Sequence, residues 1–166
     1  MKYYFRPVRE SDREQVLQIF NFYIENSFAA FPESKVWPPY FDIILETTSG
    51  FPFHIVENDE GKVIGFGLLR SHNRMDSFQH TAELSYFIAP GFTGKGIGSR
   101  LLETLEEDAL KMGIHVLVAS ISSLNPESIG FHRKHGFTEC GKFRGVGRRR
   151  GRDFDLVWMQ KHLKKG

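Results

Sequence analysis

The segment Gly91-Phe92-Thr93-Gly94-Lys95-Gly96-Ile97-Gly98 sets four glycines among eight residues, between a stretch that reads as a strand and one that reads as a helix. Such a junction demands an α/β unit, because the strand must enter the helix through a tight, backbone-exposed turn. Glycines accept positive φ and let a ligand approach the main chain closely. Amides converging beside the positive end of a helix form a hollow suited to an anion, phosphate above all. Lys95 can add charge at its rim. The P-loop pattern requires Gly-Lys-Ser/Thr, and Lys95 is followed by Gly96, so that reading fails. A dinucleotide fingerprint belongs after the first strand of a βαβ unit. Here the glycines lie mid-chain, after an apparent antiparallel meander, and Gly94-Gly96-Gly98 has the wrong spacing. A plain turn with no ligand is the other reading.

Around this loop the pattern alternates strand and helix. Tyr3–Arg6 reads as a short strand. Ser11 and Glu14 have the spacing of a capping box for a helix over Asp12–Glu25, whose apolar residues run from Val16 to Ile24 at helical intervals. Pro32, Pro38 and Pro39 break an aromatic-rich stretch over 28–40, and a short helix follows near Tyr40–Thr47. Phe53–Glu57 and Val63–Leu69 form a hairpin about Asn58–Gly61. Thr81–Ala89 is a strand, Ile97–Met112 a helix capped by Gly113, and Val116–Ser122 a β-branched strand. Asn125-Pro126-Glu127 starts a helix that ends at His135-Gly136. Phe137–Phe143 and Phe154–Gln160 close the chain as strands, with the basic run between them read as a loop. The expected fold is α/β, with a mixed, largely antiparallel central sheet flanked by helices.

Forty per cent of the 166 residues are hydrophobic and 25% charged, a globular composition that excludes disordered, collagen-like and coiled-coil chains. No apolar run approaches the roughly 20 residues of a membrane span. The N-terminus turns charged at once, which points to the cytoplasm. A single cysteine, Cys140, excludes an intrachain disulfide and a cysteine-rich zinc site. The net charge of +2 is unevenly placed: residues 142–166 carry nine Lys/Arg against Asp153 and Asp155. That tail is either a solvated basic face or a surface for an anionic ligand, phosphate or nucleic acid.

A second motif, Asn125-Pro126-Glu127-Ser128-Ile129-Gly130-Phe131-His132-Arg133-Lys134-His135-Gly136-Phe137, puts Asn125 and Ser128 on the first turn of a helix and His132 one turn beyond. Together with Arg6-Pro7, Thr81-Ala82-Glu83, the glycine loop and the closing Asp155-Leu156-Val157-Trp158, it resembles the GCN5-related N-acetyltransferases (GNAT). The chain looks most like their phosphinothricin or methionine sulfoximine acetyltransferase branch. Nearly the whole chain takes part, as one N-acetyltransferase domain over residues 1–166. The resemblance implies acetyl-CoA, with its pyrophosphate on the amides of Gly94, Gly96, Ile97 and Gly98, and with Thr93, Lys95 and Ser99 beside them. It implies pantetheine pairing with the backbone at Phe87 and Ile88, and contacts from Asn125 and Ser128. Thr93 departs from the family's usual Arg or Gln, which leaves the backbone cradle in place. No metal is implied.

Transfer to an amine needs a base, because an alkyl ammonium with a pKa near 10 leaves only about one molecule in 10³ as free amine at neutral pH. Glu83 is the candidate. Its apolar neighbours predict a buried strand, where an unpaired carboxylate is costly and is pushed toward neutrality. A structural salt bridge or an exposed edge position is the bland reading. The branch's matching glutamate is taken as the general base. His132, where relatives often carry tyrosine, is the candidate acid for the CoA thiolate, or a packed helix histidine. Amides freed by a bulge at Ser85–Ile88 would stabilise the oxyanion. For the acceptor, Phe31 among the aromatics after the first helix, Arg70, Arg74, and Thr81 beside Glu83 form the candidate pocket; core packing and surface positions are the competing readings.

Acetylation of a small amino acid or analogue by direct ternary-complex transfer is the leading expectation. A peptide N-terminus or polyamine as acceptor, and a non-catalytic acyl-CoA sensor, are the alternatives. Nucleic-acid binding through Arg148, Arg149, Arg150 and Arg152 lacks an accompanying aromatic stacking motif. The branch's habit implies a homodimer.

Overall fold

The computed structural model describes residues 1–164. Seven strands and four helices alternate along the chain: β1 (Tyr3–Pro7), α1 (Arg13–Asn26), α2 (Tyr40–Thr47), β2 (Phe53–Asn58), β3 (Val63–Ser71), β4 (Thr81–Ile88), α3 (Ile97–Lys111), β5 (Val116–Ser122), α4 (Pro126–Lys134), β6 (Thr138–Arg149) and β7 (Arg152–His162). Short 3-10 turns occupy Glu10–Asp12 and Asp76–Phe78. The strands form one sheet in the order β1-β2-β3-β4-β5-β7-β6, antiparallel throughout except at β4–β5. This is the mixed, largely antiparallel sheet that the strand–helix pattern predicts.

Each face of the sheet carries its own apolar core. On one face Leu101, Leu102, Leu105 and Ala109 of α3 pack against Leu84 and Ile88 of β4 and Leu117 and Ala119 of β5. On the other, Val16, Leu17, Phe20 and Ile24 of α1, with Phe41 of α2, pack against Ile55, Phe66 and Leu68. Burying an apolar side chain of this size contributes about 1.5–3 kcal/mol, so both helical layers are held mainly by these stripes.

The start of α1 differs from the expected capping box. Ser11 and Glu14 do not cap each other; the helix begins at Arg13, and Asp12 takes the organising role. The Asp12 carboxylate accepts from the Arg9 amide at 2.7 Å and from the two terminal guanidinium nitrogens of Arg6, Nη2 and Nη1, at 2.7 and 2.9 Å. A buried carboxylate with a bidentate arginine partner outcompetes a solvent-exposed serine hydroxyl.

The last hairpin is longer than the sequence pattern implies. The predicted loop between Phe143 and Phe154 continues as strand on both sides, and the chain reverses over Arg150-Gly151 alone, both at positive φ (49° and 73°). That is a two-residue primed turn, the geometry matched to strand twist. A register shift between Phe143 and Gly147 accommodates the extra residues of β6. Gly147 is required there, since an added Cβ would lie 2.0 Å from the Phe154 ring.

Candidate active site

Strands β4 and β5 pair over only three residues, Thr81↔Val116, Ala82↔Leu117 and Glu83↔Val118, and then part. On its other edge β4 pairs without interruption with β3, from Ser71↔Ala82 to Gly65↔Ile88. The bulge expected at Ser85–Ile88 is therefore absent. Divergence of β5, not an extra residue, frees the backbone. Because the Ala89 amide bonds to Ile64, alternation turns the main-chain groups of Leu84, Tyr86 and Ile88 toward the gap. The Ile88 carbonyl there accepts the Tyr23 hydroxyl of α1.

The gap opens into a cavity of about 790 Å³. At one end stand Thr93, Gly94, Gly96, Gly98 and Ser99. Its middle is walled by Ser85, Tyr86, Phe87, Ile88, Asn125, Ser128 and His132. At the other end it meets Phe20, Tyr23, Phe31, Tyr40 and Arg70. Gly96 caps α3 at φ 81°, and a Cβ built there or on Gly94 would point into open space. Both residues line the cavity at positive φ, a conformation that favours glycine, beside the free N–H groups of the first turn of α3.

Most of the expected residues meet at this cavity, but not all. Asn125 accepts the Ser128 amide at 3.4 Å and so caps α4. Ser99 is bonded to His135 Nε2 at 2.8 Å, tying α3 to α4. Lys95 lies over the Phe92 ring at 5.5 Å instead of lining the cavity, and the Ile97 side chain is buried in the core. Phe31 lines the cavity, stacked on Phe154 at 5.9 Å. Arg74 is exposed, and Arg74, Thr81 and Glu83 stand outside the cavity wall.

Glu83 is not the unpaired buried acid that its apolar neighbours imply. Arg70, directly across on β3, donates to Oε1 at 3.3 Å, and His72 Nδ1 lies 3.1 Å from Oε2. Arg70 also donates to the Ser85 hydroxyl at 2.9 Å, linking the carboxylate to the cavity wall. His132 is 5% exposed, with Nδ1 2.7 Å from the Ser128 carbonyl and Nε2 2.7 Å from the Tyr86 hydroxyl. Burial holds its pKa below the ordinary histidine value and holds Tyr86 well above the ordinary phenol value. Tyr86, Tyr23 and His72 are not singled out by any sequence pattern; strand alternation says only that Tyr86 lies on the face opposite Glu83.

Part of the basic run is a structural clasp. Arg149, 2% exposed, donates to the carbonyls of Ala30 and Ile24. Arg150 reaches the carbonyls of Ile24 and Ser27 and lies over Phe28. Arg148 pairs with Asp153. Cations thus close the C-terminal end of α1, where the helix dipole favours them. Among the described residues no His/Cys/Asp/Glu cluster has metal-ligand geometry, and no helix is long and apolar enough to cross a membrane.

Residues 16–137 match the family model described as Acetyltransferase (GNAT) family. The chain belongs to the GNAT acetyltransferases. A GNAT relative from Pseudomonas aeruginosa, an L-methionine sulfoximine/L-methionine sulfone acetyltransferase, is 33% identical over 95% of this chain and 93% of its own. Two solved GNAT structures superpose closely. One is a ribosomal-protein-alanine N-acetyltransferase from Brucella melitensis (TM-score 0.89, 37% identity, 96% of this chain and 99% of that one). The other is a phosphinothricin acetyltransferase from Sinorhizobium meliloti in complex with acetyl-CoA (TM-score 0.91, 26% identity, 100% and 91%).

Proposed function

We propose that this protein transfers the acetyl group of acetyl-CoA to the α-amine of a small amino acid or amino-acid analogue, such as methionine sulfoximine or phosphinothricin, by direct transfer in a ternary complex. The observation that carries the reading is the continuity of the cavity, which joins a glycine-built anion hollow to an aromatic pocket through the gap between β4 and β5. In this reading the backbone from Thr93 to Gly98, with Ser99, Asn125 and Ser128, holds CoA. The edge of β4 at Tyr86 and Ile88 supplies strand-like bonds to pantetheine; the main chain of Phe87, expected to share in this, is turned to β3 instead. Glu83 is the general base and acts across a water at the Arg70–Ser85 wall; its link to His72 gives the proton a way out. Arg70 has five donors, and those not used on Ser85 and Glu83 suit a substrate carboxylate. Phe31 walls the acceptor end. Arg74 and Thr81 are not needed.

The reading treats residues 1–166 as one catalytic domain. Acetyl-CoA is too highly charged to cross a bilayer, so the enzyme would work in the cytoplasm. Assembly as a homodimer is supported by β6, an edge strand that exposes Phe143 (55%) and Val146 (60%). A second reading, acetylation of a peptide N-terminus, is favoured by the likeness to the Brucella ribosomal-protein-alanine N-acetyltransferase.

The test is a CoA-release assay over methionine sulfoximine, methionine sulfone, phosphinothricin, common amino acids, polyamines and alanyl peptides. The expected result is the highest kcat/KM on small amino-acid analogues. Fastest turnover on an alanyl peptide would move the assignment to the second reading, and no turnover on any amine would overturn both.

A further inference from the structure

We infer that Tyr86 bridges the departing sulfur of CoA to His132, and that the two side chains together carry a proton from the acceptor nitrogen to the thiolate. This rests on the acetyl-transfer reading above. Its ground is the alternation of β4, which sends successive side chains to opposite faces. Glu83, Ser85 and Phe87 face α1 and α2 with Arg70, whereas Tyr86 faces α3 and α4 and meets His132. One strand therefore separates two proton-handling clusters, with the opening between β4 and β5 beside both.

The hydrogen bonds fix the direction of the relay. The Ser128 carbonyl can only accept, so the proton of the neutral imidazole resides on Nδ1. Nε2 then presents its lone pair, and the Tyr86 hydroxyl donates to it at 2.7 Å. Tyr86 lines the cavity, and its oxygen, donating to Nε2, keeps its own lone pairs for a proton arriving from the other side.

Acidity decides why two groups are needed. A thiol ordinarily titrates near 8.5. Tyr86, held by burial well above the ordinary phenol value, would give up its proton to a thiolate uphill. A protonated His132, held below the ordinary imidazole value, gives one up downhill. Tyr86 is thus the bridge and His132 the proton store. When the amine adds to the acetyl carbon, the C–N bond forms and nitrogen becomes cationic. Its proton passes to the Tyr86 oxygen as the Tyr86 proton passes to Nε2. The C–S bond then breaks with its electron pair on sulfur. Tyr86 gives sulfur a proton as Nε2 returns one to Tyr86, so both side chains end as they began. The charged or titratable groups around the pair are His135 on α4, held by Ser99 of α3, and Glu106 of α3, paired with Lys161 of β7 at 2.6 Å.

The experiment compares wild type, Tyr86→Phe, His132→Gln and the double variant at saturating acetyl-CoA, between about pH 5.5 and 9. Acetyl-CoA affinity is measured alongside by calorimetry. Gln can accept from Tyr86 and donate to Ser128 but cannot store a proton, so it preserves packing. Each single variant should lose kcat on the order of 10²-fold with acetyl-CoA affinity within about 3-fold, and the double variant should lose little more. The part of the acid limb of wild-type kcat that is set by His132 should vanish in both single variants, leaving only what the general base sets. An active wild type with a Tyr86→Phe variant that keeps its kcat and its acid limb sinks the relay alone, as do multiplicative losses in the double variant. Absent wild-type turnover on every amine sinks the acetyl-transfer reading, and the relay with it.

Discussion

Replacing Arg149 with alanine removes the guanidinium that joins the β6–β7 turn to the end of α1. Two charge-assisted hydrogen bonds to buried carbonyls are lost, worth roughly 1.5–3 kcal/mol each. Against this, alanine relieves the cost of burying a guanidinium whose ionic partner, Glu33, is 3.6 Å away and 63% exposed. That relief offsets only about 1–2 kcal/mol, because the two carbonyl bonds already compensate most of the cost of burying the charge. The net expectation is a loss of about 2–4 kcal/mol. In a domain of this size each kcal/mol moves Tm by roughly 2–4 °C, so Tm should fall by about 5–15 °C. Arg149→Met keeps the aliphatic stem and should recover a minor part of the loss. The Arg149 bond to the Ala30 carbonyl holds the chain next to Phe31, which lines the cavity at the end proposed for the acceptor. The acceptor KM should therefore rise by about 10-fold, with acetyl-CoA affinity unchanged, because the glycine hollow lies at the opposite end. Urea and thermal unfolding, paired with steady-state kinetics, check both halves. A variant within about 0.5 kcal/mol of wild type, the range of an ordinary surface substitution, would refute the clasp.

Three further outcomes are expected. Glu83→Gln should lower kcat by roughly 10²–10⁴ while calorimetric affinity for acetyl-CoA holds; full activity would remove Glu83 from the chemistry. Gly96→Leu should weaken acetyl-CoA binding by more than about 10²-fold, since a side chain would cover the hollow and strain a residue at φ 81°; unchanged calorimetric affinity would exclude the loop as the phosphate site. Asp12→Asn should cost about 3 kcal/mol by leaving Arg6 half-partnered, read by urea denaturation. Burial alone would raise the Asp12 pKa, but its bonds to Arg6 and the Arg9 amide outweigh that and hold it below the ordinary value. Its contribution is therefore present above about pH 3.9 and is lost as pH falls through the lower folded value, so wild type should lose its advantage over the variant in acid.

Much of this architecture is legible in the sequence because it is local. Gly96 at the mouth of α3, Pro126 at the start of α4 and the apolar spacing of α1 each report on neighbours a few residues away. The longer β6–β7 hairpin is not legible, because Gly145, Gly147 and the arginines look like loop until Phe154 and the carbonyls of α1 are brought against them. The same holds for Glu83: nothing in Thr81-Ala82-Glu83 says that Arg70 stands opposite and His72 reaches back from the strand end. Tyr86 is indistinguishable from any strand aromatic until α4 delivers His132, 46 residues later, to its hydroxyl.

The brevity of the β4–β5 ladder makes the middle of the molecule a seam. Four strands lie on one side of it and three on the other, and three residue pairs of backbone register join them. A substrate arm laid along that slit would act as a missing rung and stitch the two panels together. Amide protons flanking the slit should then exchange more slowly with acetyl-CoA bound, with β1 and the β6 edge scarcely affected. Ligand-induced stiffening would be concentrated where the apo sheet is least joined.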